Sequence, residues 1–237
     1  MRVYIASDPH MYFENLLHDV YKLNITSQDL IILCGDVGFN YYGDVRDIKL
    51  KRRISREIQA NILCVHGNHE MNPEYMLNMR TICFAKGMTY YEKEYPNILY
   101  AKDGEIYDIN GLKTIVLGGA YSVDKFYRIS NNWHWFADEQ MNDSVKKRCV
   151  SHLEQHNYNV DVVLSHTTPY KYIPKDLFIK GIDQSTVDQS MEKWLQMIYD
   201  NIQCKIWYAG HYHCDRKIDN VHILTDRLID FYADLNI

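Results

Sequence analysis

The sequence predicts an α/β fold built on a parallel sheet, and three observations lead there. Short, unbroken apolar runs of strand length alternate with segments apolar at helical spacing. The runs stop abruptly at glycine or aspartate. The middle of the chain then changes to short β-rich pieces with hairpin signals. Arg2 to Ala6 reads as the first buried strand, ending at Ser7-Asp8. Met11 to Leu23 follows as a helix, with Leu16, Leu17, Val20 and Leu23 at helical spacing. Leu30 to Cys34 is a second apolar strand, halted by Gly35-Asp36. Asp47 to Ala60 reads as a helix with Ile48, Ile54 and Ile58 along one side, and Ile62 to Val65 as a third strand closing in His66-Gly67-Asn68-His69. This βαβαβ order predicts parallel pairing with right-handed crossovers.

In the middle, Ile98 to Tyr100, Glu105 to Ile109 and Lys113 to Leu117 read as short strands, and Asn110-Gly111 is a two-residue hairpin signal. A tight turn is expected at Gly118-Gly119-Ala120-Tyr121. Asp138 to His156 reads as a helix, Val160 to Leu164 as a strand, Ser185 to Ile202 as a helix and Ile206 to Ala209 as a strand ending at Gly210. Arg216 to Thr225 reads as a hairpin around Asp219-Asn220. There is no internal repeat or low-complexity segment, so a single domain over 1–237 is expected.

The composition, 46% hydrophobic and 24% charged, belongs to an ordinary globular chain and excludes disorder. A net charge of −5 disfavours broad coating of nucleic acid, while leaving room for a local cationic pocket. None of the six cysteines forms a C-x-x-C pair, and Cys34, Cys64 and Cys204 lie in apolar runs, where cysteine acts as a small hydrophobe. That pattern points to a reducing compartment. The first residues enter a strand directly and no stretch is long and apolar enough to span a bilayer, so a cytoplasmic protein without a membrane partner is expected.

Five polar clusters stand out: Asp8-Pro9-His10, Gly35-Asp36, Gly67-Asn68-His69-Glu70, Ser165-His166 and Gly210-His211-Tyr212-His213. Ligands of open α/β sheets bind beyond the carboxyl ends of the strands, where these clusters fall. Asp8 and His10 are two apart, and in extended backbone such residues face the same side and can reach one ion. Asp36 follows a fully apolar strand, where a carboxylate is costly unless paired or on a metal, and its two oxygens can bridge two ions. Asn68 offers a neutral oxygen ligand. His69 is the candidate proton donor, since a leaving alkoxide needs a proton. Glu70 is expected to orient His69 or cap the next helix. His166 ends the run Val162-Val163-Leu164-Ser165, and His211 and His213 repeat the spacing of Asp8 and His10. Any one cluster is explicable as an ordinary turn, whereas the whole series in this order has no shared structural explanation. The simplest reading is a two-metal hydrolytic site assembled from strand-end loops. The remaining histidines, His18, His66, His134, His152, His156 and His222, lack this context and read as surface or core residues.

The series D-x-H, G-D, G-N-H-E, S-H and G-H-x-H resembles the calcineurin-like metallophosphoesterase family from Asp8 to His213. The resemblance implies a four-layer α/β/β/α sandwich with two metal ions at the strand ends. Carried over by motif, Asp8, His10, Asp36 and His213 would hold one ion, and Asp36, Asn68, His166 and His211 the other. His69 would be the acid facing the leaving group. Many members have a further aspartate shortly after G-D, whereas Val37-Gly38-Phe39-Asn40 follows here, which alters the support around the ligands. The stretch Gly118 to Lys125, with Arg128, looks like one found in small bacterial and phage members.

The expected activity is therefore metal-dependent hydrolysis of a phosphate mono- or diester by a metal-bridging hydroxide, with His69 as general acid. The mixed oxygen and nitrogen ligands suit Mn²⁺, Fe or Zn²⁺, with Co²⁺ or Ni²⁺ as substitutes. The family analogy favours manganese. Asn68, Lys125 and Arg128 are candidate substrate contacts. Trp133, Trp135 and Phe136 read as packing more than as a wall for a base or peptide, and the basic run from Lys49 to Arg56 as a solvated helix face. Expected partners are phosphorylated small molecules, nucleotides or phosphoproteins, with nucleic acid not favoured. The sequence does not choose an oligomeric state. The competing class is a non-catalytic scaffold that kept the fold, whose signature would be lost ligands or a lost His69. A structural metal module is the third, and it would use cysteine ligands.

Overall fold

The computed structural model describes residues 1–178 and 184–235. Two mixed sheets lie face to face. In the first, the strands β1 (Val3–Ala6), β2 (Leu30–Leu33), β3 (Asn61–Cys64), β4 (Arg80–Phe84), β5 (Gly87–Tyr91), β6 (Ile98–Ala101) and the late strand β13 (Ile229–Asp230) are ordered β13-β1-β2-β3-β6-β5-β4. The pairs β1–β2, β2–β3 and β3–β6 are parallel. The second sheet takes β7 (Ile106–Ile109), β8 (Leu112–Leu117), β9 (Val162–Ser165), β10 (Ile206–Ala209), β11 (Arg216–Ile218) and β12 (Val221–Ile223) in the order β11-β12-β10-β9-β8-β7. Its pairs β8–β9, β9–β10 and β10–β12 are parallel.

The apolar runs are continuous because both faces of the central strands are buried. Successive strand residues point to opposite faces. Ile5, Ile32, Leu63 and Leu99 are register partners across the first sheet, and all face the second sheet in a core shared with Val116, Val162, Leu164 and Tyr208. Their neighbours Tyr4, Ile31, Leu33 and Ile62 face the other way, onto Leu16 and Val20 of α1 (Glu14–Lys22) and Ile54 of α2 (Val45–Glu57). Across the second sheet, Ile115, Val163, Trp207 and Val221 form the matching outer row. That row packs under a helix spanning Asp143–Gln155 and another spanning Ser190–Tyr199. A short helix, α3 (Lys125–Ser130), precedes them, which makes them α4 and α5. The layers are helix, sheet, sheet, helix, as the family resemblance implies.

Several elements differ from expectation. The hairpin β4–β5 has no counterpart among the sequence expectations, because its turn residues Ala85 and Lys86 adopt φ of 48° and 65° without the glycine or asparagine that signals such a turn. The expected hairpin turn at Asn110-Gly111 does form, with φ of 51° and 88°. Helix α4 begins at Asp143 and not near Asp138, because the Asn142 side chain accepts the Val145 N–H at 3.0 Å and caps it there. Helix α5 is shorter at both ends than the apolar spacing suggests. All six cysteines are free. Among the described residues no helix is long and apolar enough to cross a membrane.

Candidate metal centre and active site

The parallel strands of both sheets deliver their carboxyl ends to one edge. Asp8 follows β1, Asp36 follows β2, Asn68 follows β3, His166 follows β9 and His211 follows β10. Backbone hydrogen bonds zip the first two loops together: Asp8 N–H donates to Gly35 O, His10 N–H to Asp36 O and Met11 N–H to Val37 O, at 2.9–3.1 Å. The ligand pairs do not sit in extended backbone as expected. Asp8, His10, Asp36, His211 and His213 all adopt left-handed φ, between 44° and 72°. Non-glycine residues there are costly, and such strain gathers at functional sites. Convergence thus comes from tight left-handed turns and not from strand alternation.

Two groups of ligand atoms result. Asp8, His10 and His213 offer atoms within 4.8 Å of one another, and so do Asp36, His166 and His211. His211 and His213 therefore face different clusters, although their spacing alone suggests one shared face. His10 Nε2 lies 3.2 Å from His213 Nε2 and 3.9 Å from Asp8 Oδ1. His166 Nε2 lies 2.8 Å from Asn68 Oδ1 and 3.4 Å from Asp36 Oδ1. Asp36 reaches both sides, since its Oδ2 is 3.6 Å from His10 Nε2.

The donor set fits divalent ions. His166 Nδ1 lies 2.8 Å from the Cys34 carbonyl, an acceptor that holds a proton on Nδ1 and turns Nε2 inward. Asn68 Nδ2 donates to Ser122 Oγ at 2.9 Å, which aims Oδ1 at the same point. His166 Nε2, Asn68 Oδ1 and Asp36 Oδ1 thus converge on one point. Ligands at about 2.0–2.2 Å from one ion lie about 3–4 Å apart, which matches these separations.

The electrostatics follow from burial. Burial pushes the Asp8 carboxyl up to about 6, against the opposing pull of His166. Asp36 is buried as well, yet His166, His69 and His10 together outweigh that burial and hold its carboxyl well below the usual carboxylate range. Burial lowers His10 to about 4 and drives His211 well below an ordinary histidine, so both stay neutral and able to ligate. For His166, burial is overcome by Asp36 and Asp8, and its pKa rises to about 9. His69 is lowered chiefly by burial.

His69 stands beside the clusters. Its backbone N–H donates to Asp36 Oδ1 at 2.8 Å, and its Nε2 lies 3.8 Å from Asp36 Oδ2. Glu70 neither orients His69 nor caps a helix. Its carboxylate accepts the Gly38 N–H at 3.0 Å and the Gly67 N–H at 3.3 Å, strapping two ligand loops together. Two glycines are required by close approach: a Cβ on Gly67 would fall 2.2 Å from Asp36 Oδ1, and one on Gly210 would fall 1.9 Å from Ser7 Oγ. A cavity of about 540 Å³ opens over the site, and its walls include Asp36, Asn68, His69, Asp124, His211 and Tyr212.

Lys125 and Arg128 do not reach into that cavity. Lys125 Nζ lies over the Trp135 ring, and Arg128 is engaged by Asp124, the Tyr41 hydroxyl and the His134 carbonyl. Asp124 and Ser122 carry no motif of their own that would single them out in the sequence. Their one signal is membership of the glycine-led stretch from Gly118 to Arg128.

The fold agrees with what known proteins show. A solved structure, TT1561 of Thermus thermophilus, superposes with a TM-score of 0.52 at 12% identity, covering 98% of this chain and 96% of that one. A lariat debranching enzyme of Drosophila pseudoobscura pseudoobscura is 23% identical over 217 residues, covering 81% of this chain. The chain spans only 38% of the length of that relative. The family model for calcineurin-like phosphoesterase matches residues 1–215, and the chain belongs to that family.

Proposed function

We propose that the protein hydrolyses a phosphate mono- or diester with two divalent ions and His69 as general acid. The observation that carries this reading is the pair of ligand clusters, Asp8/His10/His213 and Asp36/His166/His211, with Asp36 reaching both. Asn68 completes the second set. Manganese is the first metal to supply, with iron, zinc, cobalt and nickel compatible with the same donors. Bound ions would supply charge neutralisation for the phosphate oxygens and an activated water. The chain's own residues do the rest. Asn68 fixes the ester against the deep wall. His69, which among the described residues is the only cavity histidine outside both clusters, delivers a proton to the departing oxygen. Asp36 and Asp124 favour its imidazolium, against burial and Arg128.

A scaffold role on the same fold is disfavoured by the complete ligand set. The name of the debranching relative brings nucleic acid among the substrates to be tried, although the net charge of −5 does not favour a long polyanion. The test is a screen of the manganese-loaded protein against monoesters, diesters and nucleotides beside an Asp36→Asn control. Asp36→Asn should abolish hydrolysis and weaken metal binding by more than the roughly 10–100-fold typical of removing an outer-shell partner. Hydrolysis that survives the substitution would reject the site.

A further inference from the structure

Helix α3 is turned inside out. A surface helix ordinarily buries its apolar side chains and offers its charges to water. Here Lys125 Nζ lies 4.1 Å from the Trp135 ring centroid, and the Arg128 side chain, 14% exposed, is held inward by Asp124 Oδ2 at 2.7 Å and the Tyr41 hydroxyl at 3.1 Å. Phe126, Tyr127 and Ile129 are instead 65%, 59% and 49% exposed, and the helix buries no residue. Val123 before it and Trp133 after it are also more than half exposed. Six residues are too few to hold a helix by their own hydrogen bonds. Polar anchors therefore keep the apolar side chains facing outward. The Trp133 and Tyr127 rings meet edge-on, with centroids 5.5 Å apart, so two of the exposed rings are already positioned.

This face meets the catalytic cavity at Val123. Val123 and Asp124 form part of the wall that also holds His69. A group protonated by His69 leaves on the His69 side, and that side opens over the start of α3. Arg128 is engaged inward and Lys125 Nζ sits between the Trp135 and Phe126 rings, 4.1 and 5.9 Å from their centroids, so the face offers chiefly rings and aliphatic side chains.

We propose that this face receives the leaving-group side of the substrate, and that the leaving group carries an aromatic ring system. The proposal rests on the phosphoesterase reading above and names its substrate class. Truncating a stacked aromatic side chain typically weakens binding of one ring by roughly 5- to 150-fold.

The test uses the manganese-loaded protein with naphthylethyl and ethyl phosphate, each as the monoester and as the methyl diester. Both leaving groups are primary alcohols of similar acidity, so the chemistry at phosphorus is matched. Calorimetry with naphthylethyl and ethyl phosphonate, which cannot be hydrolysed, gives a second readout. The wild type should prefer the naphthyl ester at least tenfold in kcat/KM and bind the naphthyl phosphonate correspondingly tighter. The triple variant Phe126→Ala, Tyr127→Ala, Trp133→Ala should reduce both preferences to about twofold, with each single variant in between. Absence of a preference, or a preference that survives the triple variant, overturns the proposal. If no ester is hydrolysed but the phosphonate preference is present and lost in the triple variant, the face binds an aromatic ring as proposed, while the phosphoesterase reading falls and the leaving-group assignment falls with it. A dimer in sedimentation that the triple variant dissociates would assign the face to a second copy and overturn it as well.

Discussion

Asp36 is the residue on which the two ligand clusters depend, because its oxygens face His166 on one side and His10 on the other while its Oδ1 also accepts the His69 N–H. His69 is thereby tied to the ligand set without belonging to it. That separation predicts how a substitution behaves. His69→Ala should keep both metals, measured by metal analysis of the purified protein, because its ring belongs to neither ligand cluster. Turnover of an unactivated alkyl ester should fall by about 10²–10⁴-fold, the usual contribution of a general acid. An ester with a good leaving group needs less protonation and should lose much less. Equal losses on both ester types would place His69 outside proton transfer.

At the scale of elements, the ligands occupy strand ends whose loops press on one another. Gly210 follows β10 and lies against the loop after β1, where an added Cβ would meet Ser7 Oγ at 1.9 Å and Asp8 Oδ2 at 2.5 Å. Gly210→Ala must therefore displace Asp8 or the His211 loop, whose N–H holds both Asp8 oxygens at 2.9 and 3.1 Å. The expected cost is on the order of 1–3 kcal/mol of stability, as for overpacking elsewhere. Metal affinity should fall with it, read by urea denaturation and metal titration of the same variant. Much of this level was legible in the sequence. The runs Leu30 to Leu33 and Ile206 to Ala209 read as strands because burial on both faces leaves an unbroken apolar signal. The residue types following them picked out, by order, the side chains that the fold gathers into two clusters. The left-handed turns at Asp8, His10, Asp36, His211 and His213 were not legible, since none of these positions is itself a glycine and tertiary contacts impose them. The hairpin β4–β5 hid for the same reason. Helix α3 hid because its apolar residues face solvent, which removes the periodic burial that would announce a helix. Lys125 and Arg128, read as phosphate contacts from their place after a glycine turn, are drawn inward by neighbours distant in sequence.

At the scale of the whole molecule, the two sheets share one core and bring their strand ends to one edge, so the joint between them supports the site. The chain passes from the first sheet to the second between β6 and β7, and Asp103 sits in that passage. Its Oδ1 accepts the Gly118 N–H at 2.8 Å just after β8, and its Oδ2 lies 3.9 Å from His66 Nδ1 just after β3. One carboxyl thus touches the ends of strands in both sheets. Burial pushes its pKa up to about 7, only partly opposed by the Gly118 N–H. In the unfolded chain an aspartate titrates near about 3.9. Between these values the folded state keeps a proton that the unfolded chain releases, so this group makes stability fall as pH rises from about 4 to about 7. Asp103→Asn keeps the acceptor for Gly118 and removes the titration. The stability of the variant relative to the wild type should therefore increase between pH 4 and pH 8, by on the order of 4 kcal/mol. Urea denaturation of both proteins at the two pH values measures this difference, and other titrating groups, including the metal ligands, cancel between the two proteins. A difference that stays flat with pH would mean that the Asp103 carboxyl ionises as freely in the fold as in the open chain, and that its burial at the joint between the sheets costs the charged form nothing.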